Sequence, residues 1–169
     1  MNKLSSLLTA IALITTPCVS FADNWTSVCS AGATIDETSA NKYLVRNAGL
    51  GHRPGATGPF TARYNVTNTA VPGNATPDWN VFEFGYLDKS PASSVSAALF
   101  EVKPCTGAIK EICRVLSKDL PEPQCRRCFL EAELDFSKKL YYVQVSVSRG
   151  NAGVSPRALT LRLYRQDPE

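Results

Sequence analysis

Residues 141–147 read YYVQVSV, and this stretch decides the fold class. Apolar or aromatic side chains alternate with mostly polar ones: Tyr141, Val143, Val145 and Val147 against Tyr142, Gln144 and Ser146. A period of two residues is typical of a β-strand with one buried face and one face in water. The β-branched and aromatic residues also favour a strand. We therefore expect a strand here, in a sheet that has one dry and one wet face.

Similar segments recur along the chain, and turn residues separate them. They are 60–69, 79–87, 94–102, 109–116, 129–134 and 159–164, with a shorter edge strand expected at 43–46. No window carries a helical period over 12 residues. This pattern predicts an all-β, single-domain fold for residues 23–169, an antiparallel β-sandwich of the jelly-roll kind.

Alternation also predicts which side chains face the core. The expected inward sets are Phe82, Phe84 and Tyr86; Leu130, Ala132 and Leu134; and Leu159, Leu161 and Leu163. The stretch 49–59 (GLGHRPGATGP) is rich in glycine and proline, which predicts a long loop.

Residues 1–22 have the pattern of a secretory signal peptide. Lys3 supplies a positive start, residues 7–14 are apolar, and the small residues Ser20 and Ala22 occupy the positions before the expected cleavage site. The apolar stretch is shorter than the roughly 20 residues of a membrane span, and no later run is long enough. We therefore expect an exported protein of the periplasm or the cell exterior, with no membrane span.

Composition and charge exclude several classes of function. Hydrophobic residues make up 44% of the chain and charged residues 20%, which is ordinary for a globular protein. The net charge of +3 is too small for a general nucleic-acid binder. The chain holds one histidine, which excludes a metal site with two histidines.

Cysteines in an oxidising compartment form disulfides by default. Cys18 lies in the leader, and four of the other five cysteines are close in sequence: Cys105, Cys113, Cys125 and Cys128. Two arrangements stay open. One joins Cys105 to Cys113 and Cys125 to Cys128, and the other joins Cys105 to Cys128 and Cys113 to Cys125. Cys29 is then the unpaired thiol.

The motif Cys125-Arg126-Arg127-Cys128 has two functional alternatives, a redox dithiol and half of a zinc site. A thioredoxin-like motif opens a helix, whereas Pro121 and Pro123 precede this one and a strand is expected after it. The other two cysteines are eight positions apart, which does not match a zinc ribbon. Structural disulfides are therefore favoured, and no metal or cofactor is expected.

Aromatic side chains give the candidate binding surface. Trp25, Trp79, Tyr142 and Tyr164 are expected to point outward, where rings stack on sugars or contact a protein partner. The alternative for each ring is burial in the core. Of these, Trp79, Tyr142 and Tyr164 are the candidate ligand-binding residues, and the sequence predicts a non-catalytic protein that binds a glycan or another envelope or surface component.

Two other functions stay open. The carboxylates on or beside strands could form a catalytic pair in an envelope hydrolase: Glu83, Asp88, Glu101, Glu131 and Glu133. His52 is the only imidazole, but no nucleophile motif accompanies it. The third alternative is a structural subunit that assembles through sheet edges.

Overall fold

The computed structural model describes residues 24–34, 37–47, 49–68 and 77–167. Within them it contains the strands β1 (Trp25–Val28), β2 (Ala33–Thr34), β3 (Tyr43–Arg46), β4 (Gly49–His52), β5 (Gly58–Val66), β6 (Val81–Leu87), β7 (Ser93–Val102), β8 (Ile109–Leu116), β9 (Gln124–Phe129), β10 (Leu140–Arg149) and β11 (Arg157–Tyr164). Short 3-10 helices occupy Cys29–Ala31 and Glu37–Ser39. The expected leader, residues 1–22, lies outside the described residues and stays a prediction.

The described strands form two antiparallel sheets. Sheet I has the order β3-β4-β11-β6-β9, and β1 pairs with the second half of β11. Sheet II has the order β2-β5-β10-β7-β8. The prediction of an all-β, antiparallel fold is therefore confirmed. No helix among the described residues is long and apolar enough to cross a membrane.

The core lies between the inner faces of the two sheets. From sheet II, Val143, Val145 and Val147 of β10 are fully buried, as the alternation of residues 141–147 predicts. From sheet I, Phe82 and Phe84 of β6 are also fully buried and belong to the same cluster. The period of two is therefore a correct guide to the face of both strands.

Strand β11 departs from the predicted alternation because it contains a β-bulge. Ala158 lies opposite Tyr86 and Thr160 lies opposite Gly85, so one extra residue, Leu159, stands between them. As a result Ala158, Leu161 and Leu163 are buried, whereas Leu159 is only partly so. The expected inward position of Leu159 is wrong.

The strand predicted at 129–134 is also wrong. Strand β9 ends at Phe129, and the amide of Leu130 donates to the carbonyl of Asn80, where the chain leaves the sheet. Ala132 is exposed, and only Leu134 of the expected inward set is fully buried. The alternation of 129–134 comes from a loop that covers the end of the core.

The stretch 49–59 is only partly a loop. Its first residues form β4, which pairs with β3 and β11, and β5 begins at Gly58. A Cβ atom at Gly51 would lie 3.1 Å from the carbonyl oxygen of Pro156, so the close approach of the neighbouring backbone favours glycine here. Strand propensity is therefore a poor guide to this segment.

Candidate functional site

A row of side chains crosses the outer face of sheet II. Tyr142 of β10 lies opposite Phe100 of β7, and the rings stack with centroids 5.0 Å apart and planes 16° apart. On the other neighbouring strand, the guanidinium carbon of Arg63 lies 4.8 Å from the centroid of the Tyr142 ring. Tyr142 thus lies between an aromatic ring and a cation, and both contacts favour one ring orientation.

Polar side chains flank this row. Asn65 lies opposite Tyr142, and Gln144 lies opposite Arg63. Further along the same strands, the hydroxyls of Thr61 and Ser146 are 3.3 Å apart. We call the surface formed by Arg63, Asn65, Phe100, Tyr142 and Gln144 the aromatic face.

The aromatic face combines three kinds of contact that a sugar can use. Ring surfaces pack against C–H groups, and the amides of Asn65 and Gln144 both donate and accept hydrogen bonds. The guanidinium of Arg63 donates only. Three neighbouring strands span roughly 10 Å, and the four residue steps from Tyr142 to Ser146 span roughly 13 Å along β10, so the surface is large enough for a short oligosaccharide. The stacking holds Tyr142 in place before a ligand arrives, which lowers the entropy cost of binding.

The structure separates the three aromatic residues proposed from the sequence. Tyr142 lies on the aromatic face, and Tyr164 lies on the outer face of sheet I. Trp79 is only 2% exposed, and its ring packs edge-on against Phe136 at 6.0 Å. The expectation of a surface ring at Trp79 is therefore wrong, because the loop that carries Phe136 covers it. Trp25 is also directed inward, against the core cluster.

Tyr164 belongs to a charged cluster around Glu83. One Glu83 oxygen accepts from Arg127 Nε at 2.9 Å and from the Tyr164 hydroxyl at 3.2 Å, and the other accepts from Arg162 Nη1 at 3.3 Å. Burial and the neighbouring Glu83 carboxylate raise the pKa of Tyr164. Both oxygens of Glu83 are thus held by structural partners, which does not suit a catalytic acid or base.

The other predicted carboxylates are also engaged or stand on a loop. Asp88 is buried and accepts hydrogen bonds from the hydroxyls of Ser93 at 2.5 Å and Ser117 at 2.6 Å. Glu101 forms an ion pair with Lys139. Glu131 and Glu133 are exposed on the loop after β9. The described residues therefore offer no support for a paired-carboxylate hydrolase.

Neither predicted disulfide arrangement fits the fold. Cys125 and Cys128 are three positions apart on β9, so their side chains leave opposite faces of sheet I. Cys113 faces the core, which places it on the opposite side of that sheet from Cys125. Cys105 lies in the turn before β8, and four residues of strand, roughly 13 Å, separate the start of β8 from Cys113. A disulfide requires Cα atoms within about 7 Å.

The structure also shows the surroundings of Cys29 and His52, two further candidates from the sequence. Cys29 is fully buried, and burial raises the pKa of its thiol to about 12. His52 is on β4 rather than in a loop, and its Nε2 lies 2.7 Å from the carbonyl oxygen of Gly58. Among the described residues, no group of three or more His, Cys, Asp or Glu side chains is arranged to hold a metal ion.

Comparisons with known proteins find likeness only among solved structures. No protein-family model and no curated protein matches the chain. TmCBM61 in complex with β-1,4-galactotriose is 12% identical and has a TM-score of 0.39, with 87% of this chain and 91% of that chain covered. A family 11 carbohydrate-binding module from Clostridium thermocellum, in complex with a β-1,3-1,4-mixed-linked tetrasaccharide, is 8% identical with a TM-score of 0.40, covering 89% and 92%. TmCBM27, a module that recognises mannan, is 11% identical with a TM-score of 0.38, covering 88% and 95%. At these values the likeness carries no statement about what this chain binds.

Proposed function

We propose that the protein is a non-catalytic glycan-binding module that holds a short sugar chain on the aromatic face. The observation that carries the proposal is the row of Arg63, Tyr142 and Phe100 across three neighbouring strands. Rings fixed on a sheet and flanked by amide side chains suit a ligand that has both C–H surfaces and hydroxyl groups.

The charged side chains around the row leave one arginine available to a ligand. On the adjoining strand β8, Arg114 and Glu111 neutralise each other in an ion pair. Arg63 forms no ion pair within the described part of the chain, so its N–H groups can donate to ring or hydroxyl oxygens. The proposed contacts are thus packing of the sugar against Phe100 and the edge of the Tyr142 ring, and hydrogen bonds from Arg63, Asn65 and Gln144.

A glycan array with the purified protein identifies ligands, and isothermal titration calorimetry measures their affinity. We expect Tyr142→Ala to weaken binding of the best ligand by at least about tenfold, since truncated anchor side chains commonly cost more than 1 kcal/mol. Tyr164→Ala is the matched control, because it removes the same ring from the outer face of the other sheet. Far-UV circular dichroism verifies that both variants fold.

The proposal fails if no glycan on the array binds. It also fails if Tyr164→Ala removes binding and Tyr142→Ala does not, since the ligand would then lie on sheet I.

We further propose that the protein acts outside the cytoplasm, in the periplasm or at the cell exterior. The support is the signal-peptide pattern of residues 1–22. N-terminal sequencing of protein recovered from cell fractions tests this proposal. A mature chain that begins at Asp23 supports it, and an uncleaved chain in the cytosolic fraction contradicts it.

A further inference from the structure

The side chains of Cys113 and Cys128 meet between the two sheets. Cys113 lies on the inner face of β8 and is 7% exposed. Cys128 lies opposite the buried Phe82 in the register of β9 and β6, so it faces the core from sheet I. Cys128 packs against the core cluster that contains Cys113, and burial together with the neighbouring Cys128 thiol raises the pKa of Cys113. They are 15 positions apart in sequence and come from different sheets.

The strands that carry these cysteines are both edge strands. β8 ends the order of sheet II and β9 ends the order of sheet I, so the pair lies at the open side of the sandwich. A second contact crosses the same gap, where Arg126 of β9 donates to the carbonyl of Leu116 of β8 at 2.6 Å. Two contacts with different chemistry thus hold these edges together.

We propose that Cys113 and Cys128 form a disulfide that joins the edge strands of the two sheets. Each thiol loses one hydrogen, and the two sulfurs form one bond. The two electrons and two protons pass to a disulfide-containing oxidant, such as a thiol–disulfide oxidoreductase, whose own disulfide becomes two thiols. This proposal does not depend on glycan binding.

The remaining cysteines of the described region stay reduced. Cys29 is buried beside Tyr64, Cys105 is exposed in the turn before β8, and Cys125 lies on the outer face of sheet I near Gly85. We expect one disulfide and three thiols in a chain from which the leader has been removed.

Digestion with trypsin places these cysteines on separate peptides, so the peptides that stay linked identify the disulfide. Cleavage after lysine and arginine places Cys105, Cys113, Cys125 and Cys128 on four different peptides, which span 90–110, 111–114, 119–126 and 128–138. The protein is alkylated under denaturing conditions without reductant, digested and analysed by mass spectrometry. We expect peptide 111–114 linked to peptide 128–138 and two hydrogens lighter than the reduced pair, and alkylated Cys105 and Cys125.

The experiment uses protein secreted by an export-competent host, and a second sample that is refolded with glutathione disulfide. The inference is overturned if both samples give alkylated Cys113 and Cys128, or if Cys113 is linked to a different cysteine. Cys128→Ser should lower the melting temperature by roughly 6–12 °C, whereas Cys105→Ser, the control, should leave it nearly unchanged. Adding reductant should lower the melting temperature of the wild type and leave that of Cys128→Ser unchanged.

A different observation carries a second inference. An open cleft of about 280 Å³ lies where β3, β4 and β11 meet. Its floor includes the backbone of Gly49 and Gly51, and Arg46 of β3 lies opposite Gly49 while Arg157 of β11 lies opposite Gly51. Both arginines are exposed and form no ion pair with any described residue.

A buried arginine adds to the positive character of the cleft. Arg149 is 3% exposed, and its guanidinium donates only to backbone carbonyls, those of Arg53, Ala56 and Val154. No aspartate or glutamate is among the described residues that line the cleft. Cationic groups without a counter-charge favour an anionic ligand.

We infer that this cleft binds a small oxyanion group, held between Arg46 and Arg157. The probes are inorganic phosphate, inorganic sulfate and glucuronic acid. Comparing them shows whether the cleft prefers a free inorganic anion or the carboxylate of a sugar. Binding is followed by the NMR shifts of the Gly49 and Gly51 amides at low ionic strength.

We expect at least one probe to give saturable shifts at these glycines. The double variant Arg46→Gln/Arg157→Gln should weaken that binding at least tenfold. Arg165→Gln is the control, because Arg165 is paired with Asp78 and Asp167 away from the cleft. Shifts that do not saturate with any probe, or an unchanged affinity in the double variant, would overturn the inference.

Discussion

The hydroxyl of Tyr64 donates a hydrogen bond of 2.5 Å to the backbone carbonyl of Cys29, and both residues are buried. Tyr64 belongs to β5 in sheet II, whereas Cys29 directly follows β1 of sheet I. One side chain thus ties the start of the described chain to the opposite sheet.

Removing this hydroxyl should destabilise the protein. Tyr64→Phe leaves the carbonyl of Cys29 buried without its partner, which costs about 1–3 kcal/mol of the free energy of unfolding. Urea denaturation measures the change. Tyr142→Phe is the control, since it removes a hydroxyl from a half-buried ring on the outer face. Its free energy of unfolding should stay within about 0.5 kcal/mol of the wild-type value. Equal effects in the two variants would contradict the role of the Tyr64 hydrogen bond.

Gly32 should be intolerant of a methyl group, for a reason that is steric rather than conformational. Its φ of −77° suits any residue, but a Cβ atom would lie 2.3 Å from Cζ of Tyr64. We expect Gly32→Ala to cost about 1–3 kcal/mol, because the Tyr64 ring must move. Gly153→Ala on an exposed turn is the control, and thermal melts compare the two. A neutral Gly32→Ala would show that the ring shifts without loss.

Asp88 should stabilise the end of β6 through its two carboxylate oxygens. It is 2% exposed and accepts from Ser93 and Ser117, which come from the start of β7 and the end of β8. Asp88→Asn replaces one acceptor with a donor, so we expect a loss of about 1–3 kcal/mol in urea denaturation. Asp119→Asn, at an exposed residue that forms no ion pair within the described part of the chain, should be nearly neutral. A matching loss at both positions would contradict this assignment.

The single histidine should make stability fall in mild acid. Burial lowers the pKa of His52 below its ordinary value of 6.5; the Gly58 carbonyl opposes the shift, and Arg149 and Lys42 add to it. Below pH 6.5 the unfolded chain therefore binds more protons than the folded chain, so the free energy of unfolding decreases as the pH falls through this range.

His52→Gln keeps an amide donor near Gly58 and removes the titration. We expect the wild type to lose more stability than this variant between pH 7.5 and 5.5, as measured by urea denaturation. Proton NMR of the one imidazole gives the pKa directly. A midpoint at or above 6.5 would contradict the prediction.

Local patterns are sufficient to predict the long strands. The alternation of Tyr141, Val143 and Val145 identifies β10 and its inward face, because burial on one side of a sheet imposes a period of two. The same information does not reveal β4. Gly49 and Gly51 have little strand propensity, and they are extended because β3 pairs with both of them and β11 pairs with Gly51 on the other side.

The sequence predicts only part of the candidate site. Tyr142 falls on the wet face of a predicted strand, so its outward position follows from alternation. The sequence alone does not identify Phe100 and Arg63, because their contact with Tyr142 depends on the register of β7 and β5 against β10. The burial of Trp79 is not evident from the sequence for a similar reason, since Phe136, which covers it, lies far away in sequence.

The disulfide pairing depends on the same non-local information. Spacing along the chain favours disulfides between cysteines that are close in sequence, whereas the pairing of β9 with β6 decides which cysteine faces the core. Cys128 faces inward and Cys125 outward, so only one of them can reach Cys113.

The bulge in β11 marks a position where the chain can lose one residue without a change in the pairing of the rest of the strand. Deleting Leu159 would place Ala158 and Thr160 next to each other, opposite Tyr86 and Gly85, which are already consecutive in β6. Leu161 and Leu163 would keep their places. A homologue one residue shorter at this point should therefore retain the same interior, whereas deletion of Arg162 would turn Leu163 towards solvent.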